Sequence, residues 1–174
     1  EATKAAHILG YSPRSSGKPL SGPLLVVPIK RGNIISTLEL IDGEGRKTAL
    51  AGRGSKAGGY WATEPLNENL ATLLIGEGVA TVLSASEATE WPGIAALSSG
   101  NLCSVTKTMQ QLYPKAKLII LADLVKATDE PDPNAITAAR TTNSKLAIPV
   151  FGDNRTPGMT DFNDMAVTHG GLRE

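Results

Sequence analysis

The spacing of apolar residues changes along the chain and predicts two regions of different structure. In residues 1–66, short apolar runs such as Leu24–Ile29 and the partly alternating Asn33–Ile41 are separated by clusters of Gly, Pro and Ser. Runs of this length are typical of strands, and Asp42–Gly45 has the chemistry of a turn. The pattern therefore predicts a small β-rich subdomain over residues 1–66, in which Arg46–Leu50 is a further strand.

In residues 67–174 apolar runs alternate with segments of helical spacing. This alternation is typical of a parallel sheet with crossover helices. The predicted strands are Leu70–Ile75, Gly93–Leu97, Lys117–Ala122 and Leu146–Phe151. The predicted helices are Gly78–Glu90, Asn101–Tyr113 and Asn134–Asn143, the last with Asn134 as its N-cap, followed by a short helix after Asp161. The fold class predicted for this region is α/β.

Composition and charge narrow the possible functions. The formal net charge is zero, so attraction to nucleic acid must come from a local patch of basic residues. The longest apolar runs are far shorter than the roughly 20 residues that span a bilayer. The single cysteine, Cys103, rules out a disulfide or a Cys-rich zinc site within the chain. We expect a cytoplasmic protein without membrane contact and, because the chain begins with Glu1, a piece of a longer protein.

Two acidic residues directly follow predicted strands of the parallel sheet. Glu77 follows the first of these strands and Asp123 follows the third. Ligands of open parallel sheets bind at the carboxyl ends of the strands, where both carboxylates are expected. Two carboxylates a few ångströms apart favour a hard cation such as Mg²⁺. The structural alternative, two solvated acids at the start of loops, is equally compatible with the spacing.

Further charged residues are weaker candidates. Asp161 and Asp164 are possible metal ligands, but they also fit the N-cap and first turn of a short helix, which is the simpler interpretation. Basic side chains that could contact phosphate are Arg46, Lys47, Arg53 and Lys56, the last two in a Gly-rich segment. This segment is not a P-loop, because no Lys-Ser/Thr follows its second glycine. A solvated charged loop is the simpler interpretation.

Several segments in order resemble the Toprim domain of plasmid and phage primases. Leu73–Thr81 (LLIGEGVAT) is similar to the first Toprim motif, a strand that ends in Glu-Gly before a helix. Segments further along that fall in the family's order are Ala96–Leu102, Tyr113–Asp123, Asn134–Arg140 and Asp161–Met165. Upstream, Leu24–Pro28, Leu38–Gly45 and Lys56–Tyr60 are similar to its N-terminal part. The resemblance extends over nearly the whole chain.

The resemblance implies a Toprim-like parallel sheet preceded by a β-rich α+β primase-type subdomain. It implies a DNA primase of a mobile element, which makes RNA primers on single-stranded DNA from nucleoside triphosphates beside a helicase on the same or another chain. It also implies Mg²⁺ or Mn²⁺ bound by Glu77 and by a D-x-D motif that begins at Asp123. Here the second position of that motif is Val125, so one carboxylate is missing, and Asp129, Glu130 or Asp132 would have to replace it if the loop folds back.

Three other functions stay open, and Val125 favours the first of them. A Toprim module without activity would bind nucleic acid or a replication partner, and a Toprim nuclease would cleave phosphodiesters. A flavodoxin-like binder of small molecules would use the same edge of the sheet, but Gly76–Gly78 does not continue as a G-x-G-x-x-G fingerprint.

Overall fold

The computed structural model describes residues 1–52, 54–152 and 155–168, which form two compact units, Glu1–Gly59 and Tyr60–Glu174. The residues from 60 to 66, predicted with the first region, lie in the second unit. Their strand β6 (Trp61–Ala62) pairs with a strand of that unit's sheet. Among the described residues, no helix combines the length and the apolar character that crossing a bilayer requires.

The first unit is built on an antiparallel three-stranded sheet. Its strands are β3 (Leu24–Arg31), β4 (Ile34–Asp42) and β5 (Lys47–Ala49), in the order β3-β4-β5. One face of β3 and β4 is buried and carries Val27, Ile29, Thr37 and Glu39. Helix α1 (Ala2–Leu9) and the hairpin of β1 (Arg14–Ser15) and β2 (Lys18–Pro19) complete the unit. The three predicted strands are confirmed, whereas α1 and the short hairpin were not predicted.

The second unit is an α/β domain with a five-stranded sheet, as predicted. Its strand order is β10-β9-β7-β8-β6, and all neighbours are parallel except β6, which runs antiparallel to β8. The remaining strands are β7 (Thr72–Gly76), β8 (Gly93–Ala95), β9 (Lys117–Leu121) and β10 (Lys145–Ala147). The helices are α2 (Val79–Thr89), α3 (Leu102–Leu112), α4 (Pro133–Thr142) and α5 (Phe162–Thr168).

The core of the second unit is apolar and explains why the strands have continuous hydrophobic sequences. Leu73, Ile75 and Ile120 from the central strands are buried together with Val105 and Met109 of α3. Strands of a parallel sheet that are covered by helices have no solvent-exposed face, so their sequences do not alternate. Burial of these residues stabilises the sheet, and the candidate site lies at the carboxyl ends of its strands.

Two details of the predicted elements are wrong. The last strand is Lys145–Ala147 and does not extend to Phe151. The N-cap of α4 is Asp132, not Asn134, because Pro133 occupies the first helical position. Oδ1 of Asp132 accepts hydrogen bonds from the backbone N–H groups of Asn134 (2.7 Å) and Ala135 (3.2 Å). Proline suits this position because the first turn of a helix leaves its N–H groups without helical partners.

Candidate metal site at the carboxyl end of the parallel sheet

Glu77 and Asp123 follow two strands that lie side by side. Strands β7 and β9 are parallel, and their register pairs Ile75 with Ile120. Glu77 follows the last residue of β7 directly, and Asp123 comes two residues after the end of β9. Both residues are half-buried. The structure therefore brings the two predicted carboxylates to the same edge of the sheet.

Hydrogen bonds and close packing both constrain the backbone around Glu77. Its carbonyl accepts a hydrogen bond from the N–H of Leu97 at 2.8 Å, just as Gly76 accepts one from Ala96 at 2.9 Å. A Cβ atom on Gly76 would lie 2.8 Å from Cγ2 of Val82, so the close approach of α2 to β7 requires glycine there. The segment that carries Glu77 is thus rigid, which favours a preorganised ligand.

Asp123 opens a loop that folds back on itself. Its carbonyl accepts a hydrogen bond from the N–H of Asp132 at 2.8 Å, and Leu124 forms an isolated bridge with Pro131. Oδ1 of Asp123 is buried and accepts no hydrogen bond among the described residues, although the residue makes a further interaction. The loop thus brings the acids of residues 129–132 back towards Asp123.

Two acids of this loop, Asp129 and Asp132, have other partners. Oδ1 of Asp129 lies 2.6 Å from Nη2 of Arg155, and Asp132 caps α4. These interactions compete with metal binding for the carboxylates that could replace the one missing at Val125. The hydrogen bond from Arg155, partly opposed by burial, holds the pKa of the Asp129 carboxyl below its usual value.

Asp161 and Asp164 form a reciprocal cap at the start of α5. Oδ1 of Asp161 accepts a hydrogen bond from the N–H of Asp164 at 2.8 Å, and Oδ2 of Asp164 accepts one from the N–H of Thr160 at 2.7 Å. Oδ2 of Asp161 also accepts a hydrogen bond from Oγ1 of Thr81, a buried residue of α2, at 3.0 Å. Their geometry is that of a helix cap. Their predicted role as metal ligands stays a prediction.

This cap also borders the loop of Asp123. The carbonyl of Thr160 accepts a hydrogen bond from the N–H of Leu124 at 2.7 Å. Through Thr81 and Thr160, the start of α5 thus contacts both α2, which follows Glu77, and the loop that follows β9. Neither threonine was predicted as a site residue. The one sequence signal for this region was the acidic segment Asp161–Met165 beside a predicted short helix.

The donor set fits a single magnesium ion better than a pair. Within the described ranges, no group of three or more His, Cys, Asp or Glu residues is placed to hold a metal. Mg²⁺ commonly binds through one or two carboxylates, retains several waters and takes further oxygens from phosphates. Glu77 and Asp123 would supply the carboxylates of such a site, and Val125 leaves the second D-x-D position without an oxygen ligand.

The predicted basic residues lie in the first unit, and two of them are in ion pairs. Nη2 of Arg46 lies 2.8 Å from Oδ2 of Asp42, and Nζ of Lys56 lies 2.6 Å from Oε1 of Glu39. Lys47 is exposed on β5, and Arg53 lies outside the described residues. The contacts of Arg46 and Lys56 thus give these two residues a structural role within the unit.

Comparison with known proteins places the chain in a family. The model of the Toprim domain matches residues 72–171. The DNA primase TraC of Escherichia coli is 33% identical over 93 residues, which make up 49% of this chain and 9% of TraC.

Two solved structures share the fold. The primase fragment of the bacteriophage T7 primase-helicase protein matches with a TM-score of 0.58 and 12% identity, over 87% of this chain and 62% of that one. The DnaG primase catalytic domain bound to ssDNA matches with a TM-score of 0.52 and 13% identity, over 97% of this chain and 55% of that one. This chain thus spans less than two thirds of each of these three relatives. It belongs to the Toprim family, and the relatives it resembles in sequence and in fold are primases.

Proposed function

We propose that this chain is the catalytic Toprim part of a mobile-element DNA primase, which synthesises RNA primers on single-stranded DNA with one Mg²⁺ or Mn²⁺ ion. The observation that carries the proposal is the placement of Glu77 and Asp123 after the adjacent parallel strands β7 and β9. The similarity to the primase TraC supports the choice of reaction.

In this proposal each carboxylate contributes to holding the metal and thereby the triphosphate. A bound ion supplies positive charge that neutralises phosphate oxygens during nucleotidyl transfer. Glu77 contributes a carboxylate on a rigid backbone, and Asp123 contributes one from the neighbouring strand end. Since Val125 adds no oxygen ligand, Glu77 and Asp123 would hold one ion, which would supply positive charge to the phosphates of a bound nucleotide.

The distribution of charge supports contact with DNA by the first unit. Residues 1–59 contain nine Lys and Arg and four Asp and Glu, whereas residues 60–174 contain eight and thirteen. The formal charges of +5 and −5 cancel in the whole chain. A basic unit attracts the phosphate backbone of nucleic acid. Among its exposed cations are Lys30, Arg31 and Lys47, which we propose as phosphate contacts. By similarity to the T7 primase-helicase protein, a helicase is the proposed partner.

The first test is Mn²⁺ binding by calorimetry. We expect wild-type binding in the millimolar range or tighter, with loss of binding in Glu77→Gln and in Asp123→Asn. The matched control is Glu68→Gln, at an exposed position outside the sheet edge. This control should bind Mn²⁺ like the wild type.

The second test is incorporation of ribonucleotides on a single-stranded DNA template with Mg²⁺ or Mn²⁺. We expect incorporation by the wild type and none by Glu77→Gln, with unchanged circular dichroism. A wild type that binds single-stranded DNA but no metal would overturn the proposal in favour of a docking module without activity. Metal-dependent nicking of DNA without primer synthesis would instead indicate a nuclease.

A further inference from the structure

Arg155 connects two loops next to the candidate metal site. Its Nη2 donates hydrogen bonds to Oδ1 of Asp129 at 2.6 Å and to the carbonyl of Met159 at 2.8 Å, and its Nε contacts the same carbonyl at 3.3 Å. The guanidinium carbon lies 4.9 Å from the centroid of the Phe151 ring. One side chain thus contacts the loop after β9 and the segment before α5 together.

The contacts of Arg155 extend to Asp123 through the backbone. Met159 precedes Thr160, whose carbonyl accepts the hydrogen bond from the N–H of Leu124 at 2.7 Å. Leu124 is the residue directly after Asp123. On the other side, Asp129 closes the turn of the same loop, since its N–H donates to the carbonyl of Val125 at 2.8 Å. Arg155 therefore contacts the loop directly at Asp129 and is linked to Leu124 through Met159 and Thr160.

The backbone at Asp129 has a left-handed conformation that few residue types adopt readily. Asp129 has a φ of 59°, in the left-handed region that Asp and Asn adopt more readily than most residues. The carboxylate of Asp129 is bound by the guanidinium of Arg155. A salt bridge between partly exposed groups contributes little by itself, but Arg155 adds two further hydrogen bonds and a contact with an aromatic ring.

We propose that Arg155 is a positioning residue that holds the loop of Asp123 in its metal-binding conformation and keeps Asp129 out of the metal site. The inference rests on the proposed function for the identity of the ligand. The prediction that Arg155 orders the loop depends only on the contacts of Arg155 and not on the identity of the ligand. A shift of a ligand-bearing loop weakens a metal site, because affinity depends on how well surrounding residues orient the ligands.

The test of loop order does not require metal. Amide hydrogen exchange of Leu124 reports the hydrogen bond to Thr160 directly. We expect exchange to become at least about tenfold faster in Arg155→Gln, since loss of local contacts lowers the free energy of local opening. Asp129→Asn, which retains a residue suited to positive φ, should give a change in the same direction. Arg140→Gln, at an exposed arginine of α4, is the matched control.

The test of positioning is the Mn²⁺ dissociation constant of the same variants. We expect Arg155→Gln to weaken binding about tenfold, the lower end of the usual cost of losing a residue that orients metal ligands. Arg155→Lys should restore part of the affinity, because it keeps the charge but not the two-pronged geometry. Midpoints of urea unfolding should match those of the Arg140→Gln control.

The outcomes separate the two proposals. Faster Leu124 exchange together with weaker Mn²⁺ binding supports the positioning role. Unchanged Leu124 exchange in both Arg155→Gln and Asp129→Asn would overturn it, as would tighter Mn²⁺ binding in Arg155→Gln, which would make Asp129 a ligand. A wild type that binds no Mn²⁺ would overturn the metal-site proposal and with it the role of Arg155 towards metal. Leu124 exchange alone would then decide whether Arg155 orders the loop.

Discussion

Nζ of Lys56 lies 2.6 Å from Oε1 of Glu39, and this ion pair joins the Gly-rich segment to the buried face of β4. The side chain of Glu39 is 2% exposed and that of Lys56 is 30% exposed. A buried carboxylate that loses its cation is strongly destabilised, since its charge has been removed from water. The ion pair with Glu39 therefore accounts for the lysine at position 56, and a bound phosphate is not needed to explain it.

Replacement of Lys56 should destabilise the first unit. We expect Lys56→Met to lower the free energy of unfolding by about 2–4 kcal/mol, the lower part of the range for buried pairs because Lys56 is partly exposed. The double variant Glu39→Gln/Lys56→Met should recover most of this loss, as measured by urea denaturation. If Lys56→Met instead weakens binding of single-stranded DNA at unchanged stability, Lys56 is a phosphate contact after all.

Substitution of Gly93 should disturb the packing of α2 on the sheet. A Cβ atom on Gly93 would lie 2.4 Å from Cγ1 of Val82, which is fully buried. We expect Gly93→Ala to cost about 1–3 kcal/mol of unfolding free energy, as is usual for overpacking. Gly43→Ala, where a Cβ would meet nothing within 4 Å, is the control and should be nearly neutral. Equal effects of the two substitutions would show that α2 adapts to the additional methyl group.

The stability of the first unit should fall in acid because of Asp42. Burial acts to raise the pKa of the Asp42 carboxyl, but hydrogen bonds from the Arg46 side chain and from the N–H groups of Arg46, Glu44 and Ser21 outweigh it and lower the pKa. Since the folded pKa lies below the unfolded one, the stabilisation is fully present above the unfolded pKa. It is lost as pH falls through the lowered folded pKa.

Urea unfolding between pH 7 and pH 3 tests this dependence. We expect Asp42→Asn to be less stable than the wild type at pH 7 and to lose less stability on acidification. Glu44→Gln removes only the longer contact of Arg46, at 3.4 Å from the Glu44 carboxylate, and should change the profile less than Asp42→Asn does. Parallel pH profiles for the wild type and Asp42→Asn would contradict the assignment.

A carboxylate at position 125 should strengthen metal binding. Leu124 forms a bridge with Pro131, and residues on either side of a residue in extended backbone point the same way, so we expect positions 123 and 125 to share a side. We expect Val125→Asp to tighten Mn²⁺ binding about tenfold by adding a charged oxygen ligand. Val167→Asp adds the same charge on α5, where Val167 is 74% exposed, and should have little effect. Unchanged affinity in Val125→Asp would show that residue 125 does not face the ion.

Much of the fold was predictable because its signals are local. The apolar runs of β7 and β9 and the helical spacing of α3 depend on short-range periodicity and burial, and all three elements appear near their predicted positions. The Gly-Glu-Gly motif between β7 and α2 is also local, and it is sufficient to predict Glu77 at the edge of the sheet. The N-cap of α4 was missed, although Asp132 before Pro133 is a recognisable local signal.

The sequence by itself determined the alternation of strands and helices, the family, and the two carboxylates that follow strands. These are properties of neighbouring residues and of short motifs in order. That these two strands are neighbours was decided by the order of the sheet. Only the tertiary structure decided the partners of the other charged residues: Lys56 with Glu39, Arg155 with Asp129, and Asp161 with Thr81. These pairs join residues 17 to 80 positions apart, and no local pattern encodes such contacts. Whether a charged side chain forms a pair or faces solvent therefore depends on which distant segments the packed core brings together.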